Sequence, residues 1–212
     1  MTFHTIHIPI GRRSYRFFLF LCATALFLLI AGNSTLQAAD LPTLPVMEGL
    51  HPTLEDMPEE QGTIYRWSGS INRKHSREFV VKAYNNMVLR RTTSSWKREP
   101  KPQYTTATES ASVGIEIQAA EDLTQVMANF RKNFEENPHY EKFRKEPYGD
   151  EGYRYRRTTQ QGYAGPSTTV LFRKGTIFVQ VTAYTSNRFM HDELAQTFAA
   201  LVLKKIEAYN GN

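Results

Sequence analysis

Apolar residues follow three rhythms along this chain. From Phe17 to Ala31 they run for fifteen residues without a charge. Further on they alternate with polar residues. Val113, Ile115 and Ile117 against Gly114, Glu116 and Gln118 is the clearest case, and it predicts a strand with one wet face. In two stretches they recur every three or four residues. Leu123, Val126, Met127, Phe130 and Phe134 form one stripe; Leu194, Phe198, Leu201, Val202 and Ile206 form another. Each stripe predicts an amphipathic helix. Asp122 with Gln125 resembles a capping pair at the start of the first helix, and Asn137-Pro138 stops it. His191-Asp192-Glu193 opens the second, where acids suit the positive end of the helix dipole.

The remaining elements follow from turn chemistry. Ile64-Tyr65-Arg66-Trp67 suits a short strand. Phe79, Val81 and Ala83 alternate with their neighbours up to Asn85-Asn86, and Met87-Val88-Leu89 follow. This predicts a tight hairpin, because asparagine tolerates positive φ. Ser94 to Thr108, with Pro100 and Pro102, predicts a long polar loop. Tyr153 to Arg157 suits a strand with an exposed basic face. Thr169 to Phe172 and Ile177 to Val181 flank Lys174-Gly175 as a second hairpin. The predicted fold class is α+β: an antiparallel sheet built from two hairpin-rich blocks, each followed by an amphipathic helix packed on one face. The repeated order suggests a distant duplication, although few residues are identical between the halves.

The fifteen-residue run is short for a spanning helix, which needs about 20 apolar residues. Arg12, Arg13 and Arg16 precede it, and Gln37-Ala38-Ala39 follows with small residues. That is the layout of a cleaved signal peptide over residues 1–39. The expected location is periplasmic or secreted, with no transmembrane helix after cleavage. Cys22, the chain's one cysteine, lies within the leader. The remainder has no thiol for disulfides, thiolate metal sites or nucleophilic catalysis. Three of the 26 basic residues and none of the 21 acids leave with the leader. The rest then carries 23 against 21, a charge of +2, so intracellular nucleic acid is not an expected partner. Residues 40–62 hold Pro42, Pro45, Pro52 and Pro58, six acids and no lysine or arginine. They predict an acidic, extended linker ahead of a single domain over 63–212.

The strongest candidate site is basic. Between residues 61 and 108 there are ten Lys/Arg and two acids, Glu78 and Glu99. Arg73, Lys74, Arg77, Arg90, Arg91, Lys97 and Arg98, with Trp96 among them, are the expected binding residues. Guanidinium forks and aromatic faces together hold phosphates, sulfates and sugar acids. A solvated face balanced by the acidic linker is the alternative. Tyr140, Phe143, Tyr148, Tyr153, Tyr155 and Tyr163 fall within 24 residues. They suit either stacking on a ligand or packing in strands. Ser94-Ser95-Trp96-Lys97 matches S-x-x-K, but on a strand-to-loop stretch instead of a helix start. His51, His75, His139 and His191 have no metal-ligand spacing, and no motif calls for a metal or cofactor. The expected function is a non-enzymatic binding or assembly module of the cell envelope. Its partner would be an envelope protein, an anionic polymer or a lipid headgroup. A small envelope hydrolase with a Ser/His/carboxylate site assembled across the fold is the alternative.

Overall fold

The computed structural model describes residues 41–57, 64–104, 110–141, 144–157, 166–185 and 190–210. The leader expected at 1–39, residues 58–63, the side chain of Phe143 and Tyr163 lie outside the described residues. Among the described residues no helix is long and apolar enough to cross a membrane.

Wherever apolar and polar residues alternate, the chain pairs. Eight strands form one antiparallel sheet: β1 (Tyr65–Ile71), β2 (Arg77–Val81), β3 (Met87–Pro100), β4 (Ala111–Ala119), β5 (Arg144–Lys145), β6 (Glu151–Arg157), β7 (Ser167–Lys174) and β8 (Ile177–Thr185). The order across the sheet is β1-β3-β4-β8-β7-β6-β5, with β2 also paired to β3. The long β3 carries two partners, β2 against Met87–Arg91 and β1 against Ser94–Pro100. Asn85-Asn86 and Lys174-Gly175 each lie between two paired antiparallel strands. The first connection is five residues long instead of a tight two-residue turn: a 3-10 turn at Lys82–Tyr84, which takes in Ala83, precedes Asn85 and Asn86 at φ of 54° and 59°. At the second, the Gly175 N–H donates to Asp150 Oδ2 at 2.8 Å.

Successive residues of β8 point to opposite faces, and each face has its own core. Ile177, Val179, Val181 and Ala183 join Val113, Ile115 and Ile117 of β4 and Val170 and Phe172 of β7. This first face is closed by α3 (Met190–Asn210) through Leu194, Phe198, Val202 and Ile206, one turn apart, and through Ala195 and Ala199, whose small size lets the helix approach. Phe178 and Leu171 point the other way. There they meet Tyr153 and Tyr155 of β6 and the Val126–Met127 side of α2 (Thr124–Glu135). The two long helices therefore draw on opposite faces, whereas the sequence places their layer on one. Both stripes are legible; which way β7 and β8 turn their side chains beneath them is not.

Two further expectations change. Residues 41–57 are not an extended lead. They form α1 (Leu44–Gly49) and a 3-10 turn at Leu54–Asp56, with Pro45 in the first helical turn, where it costs nothing. Met47, Leu50 and Met57 enter the first-face core. With few β-branched and no aromatic residues, the strap still buries three unbranched or γ-branched side chains, each contributing about 1.5–3 kcal/mol when fully covered. Lys205 Nζ holds Asp56 Oδ2 at 2.9 Å, tying the strap to α3. Ser94 to Pro100 is strand, not loop. Its hydroxyl-rich sequence is held by ladders on both sides, β1 and β4.

The β1–β3 contact fixes one glycine. A Cβ on Gly69 would stand 2.3 Å from the Ser95 carbonyl oxygen and 2.7 Å from the Trp96 ring. A Cβ on Gly114, in the middle of β4, would meet nothing within 4 Å. Gly69→Ala is expected to cost about 1–3 kcal/mol, as overpacking does. Gly114→Ala should be neutral or stabilise by up to about 1 kcal/mol. Paired urea titrations check both; equal midpoints for the two variants would contradict the contact.

Candidate functional site: an open polar sheet face between basic ends

The predicted basic residues do not form one patch. Arg73 and Lys74 lie in a 3-10 turn between β1 and β2. Arg73 Nε reaches Glu48 Oε2 of the strap at 3.6 Å. Arg90 points to the first face. It binds Glu78 at 2.6 Å and donates to the Leu41 and Pro42 carbonyls at 2.6 and 3.1 Å. So the acidic strap does fold onto part of the cluster. Trp96 is not a surface aromatic. It is 3% exposed, in the first-face core, and its indole N–H donates to Ser94 Oγ at 3.1 Å. Arg98 lies 4.0 Å from the Tyr65 ring centre. Arg77, Arg91 and Lys97 remain on the second face. The Arg77 guanidinium stands over Phe79, and Arg91 pairs with Glu116 at 2.9 Å.

These last residues border a part of the second face whose side chains are mostly short and polar. Three rows cross it in register: Lys97, Ser112 and Tyr184; Ser95, Gly114 and Thr182; Thr93, Glu116 and Gln180. α2 and the Phe178 core bound it on one side. Its floor is hydroxyls and a glycine. Thr182 shares a hydroxyl bond of 3.0 Å with Thr169, and Gln180 donates to Thr182. At the far end lies a recess of about 450 Å³, lined by Lys97, Arg98, Ser112 and Tyr184 among others. Tyr184 is 41% exposed, and Lys97 is exposed at the rim. The recess offers an ammonium group, a phenol and several hydroxyls to a ligand, with the Glu99 carboxylate beside them. The alternation of β4 shows this wet face in the sequence; the contribution of Gln180, Thr182 and Tyr184 is masked there by the apolar run of β8.

The candidate nucleophile lies elsewhere. Ser94 and Lys97 are three apart on a strand and point to opposite faces, so they cannot act as an S-x-x-K pair. Ser94 Oγ instead lies 2.8 Å from His51 Nδ1, and Thr92 Oγ1 lies 2.9 Å from His51 Nε2. Among the described residues no carboxylate is bonded to His51, which is 1% exposed. Burial lowers the His51 pKa to about 4, which keeps the ring neutral. The cluster is a tether between strap and sheet.

His191 is likewise buried, bonded to Thr168 Oγ1 at 2.7 Å. Its neighbour Asp192 takes Arg154 and Arg156 at 2.5 and 3.0 Å. The basic face predicted for β6 is thus occupied by α3. Of the tyrosine-rich segment, Tyr153 and Tyr155 are buried. Tyr155 stacks on Phe134 at 4.7 Å. Among the described residues no group of three or more His, Cys, Asp or Glu is placed to hold a metal ion.

Comparison with protein-family models, with curated proteins and with solved structures gives no match.

Proposed function

We propose that this protein is an exported, non-enzymatic binding module of the cell envelope, and that the open second face is its binding surface. The ligand is an envelope component bearing carboxylate or phosphate groups, drawn in by Lys97 at the rim and laid over the hydroxyl floor. An antiparallel sheet tolerates a wet face without any function. The observation that carries the reading is Gly114. Glycine in a strand interior costs about 0.5–1 kcal/mol, and no described neighbour here needs the space. A strand glycine with free space above it leaves room for something to approach the backbone.

The test uses the purified, exported protein with two probes, phosphatidylglycerol vesicles and soluble polygalacturonate. Gly114→Leu fills the trough without touching the cores, and Lys97→Gln removes the rim charge. Both are expected to fold as the parent does and to weaken binding at least tenfold. Binding should fall further between low salt and about 0.1 M, where surface charge is screened. Undiminished binding by Gly114→Leu would reject the face as the site.

A further inference from the structure

A second recess, of about 520 Å³, opens at the other end of β3. We propose that it is a binding site for a neutral saccharide, separate from the anionic site.

One wall is the hairpin turn, with Tyr84, Asn85 and Asn86; the other is the start of α2, with Asp122 and Gln125. Asn129 Nδ2 of α2 donates to the Tyr84 hydroxyl, which joins the walls. Met87, on the same face as α2, supplies apolar floor, whereas the Val88 side chain points to the opposite face. The space lies within the usual range for small-ligand sites.

The polar groups decide the ligand class. The lining holds three amides and two carboxylates but no lysine, arginine or histidine. Carboxylate oxygens accept hydrogen bonds, and amides both donate and accept. Such planar groups can meet neighbouring sugar hydroxyls two at a time, while an apolar floor takes the C–H face of the ring. An anionic ligand would find no cation here. Asp122 stays ionised because the Thr124 backbone N–H donates to it at 2.8 Å, which lowers its pKa. Asn86 is one of these amides, and its φ of 59° is one that asparagine tolerates. Its amide stands exposed at the rim.

The experiment is a backbone-amide NMR titration of the whole protein with cellobiose and with N,N′-diacetylchitobiose, repeated with spermidine. At least one saccharide is expected to shift Tyr84, Met87 and Gln125 saturably. Asn86→Gly keeps the turn, and Gln125→Ala keeps the helix. Each should weaken that binding at least fivefold, with the rest of the spectrum unchanged. Gly114→Leu should leave it unaltered, which separates this site from the sheet face. Absence of saturable shifts with both sugars would overturn the proposal. So would equal affinity in the two variants, or saturable shifts with spermidine alone, which would make the recess an amine site.

Discussion

Replacing Phe198 by alanine is expected to remove about 3–5 kcal/mol of stability, the usual cost of deleting a buried phenyl group. Phe198 is fully buried, one turn from both Leu194 and Val202 on the face of α3 that closes the first core. Its ring centre lies 5.3 Å from that of Trp67 in β1, so it bridges the last helix to the first strand. Neither neighbour can collapse into the space, because β1 is held in register along β3 and α3 is pinned by Asp192 and Lys205. Domains of this size are stable by about 5–15 kcal/mol, so the loss is a large fraction of the total. Tyr209→Ala, on the same helix but at an exposed position, should change stability by no more than about 0.5 kcal/mol. Urea unfolding of the three proteins checks this. A loss below 1 kcal/mol at Phe198 would mean that α3 does not close the core.

The elements that the sequence makes legible are those whose period has one cause. The stripe from Leu123 to Phe134 and the stripe from Leu194 to Ile206 each meet a single apolar surface, so 3.6-residue periodicity appears undiluted. The Asn85-Asn86 and Lys174-Gly175 turns are local chemistry and need no tertiary information. The losses have equally specific causes. Ser94 to Pro100 looks like loop because serine, lysine and proline are poor strand formers; pairing with β1 and β4 overrides that preference. The stretch 40–62 looks disordered because its acids and prolines together outnumber its apolar residues. Yet Met47, Leu50 and His51 fall on one side of a short turn of helix and reach the core.

The site shows the same division. Sequence density of charge locates Lys97, but it cannot say that Arg98 turns to the other face, that Arg90 is consumed by Glu78 and the strap, or that Trp96 is buried. Those facts depend on strand parity. A shift of one position exchanges the two faces, and clustering in sequence then becomes dispersal in space. The hydroxyl floor is visible in β4 as alternation. It is hidden in β8, where the second face is apolar at Phe178 and polar from Gln180 onward.

Acidification is expected to loosen the strap before it unfolds the sheet, through His51. In the folded protein this ring sits among Ser94, Thr92 and Trp96, with a pKa near 4 caused by burial. Exposed, it would titrate near 6.5. The folded state therefore binds the proton less readily than the unfolded state. The tether's contribution is complete above pH 6.5, falls as pH drops toward 4, and is constant below that. Two and a half pH units at about 1.4 kcal/mol each give a loss of roughly 3.5 kcal/mol at most. The acids with lowered pKa, Asp56, Asp150 and Asp192, act in a separate window. Their ion pairs persist above their ordinary range near 3.8 and fail only as pH falls through their lower folded values. Stability measured from pH 7.5 to 4.5 should thus slope downward. His51→Gln should start lower at pH 7.5 and be nearly flat over the same range. Amide exchange at Leu50 and His51 should accelerate at pH 5 while Val179 and Val181 in β8 stay protected, because those strand residues unlock only with the whole domain. A wild-type slope that persists in His51→Gln would place the titrating group elsewhere and remove the pH-sensitive tether from this account of the fold.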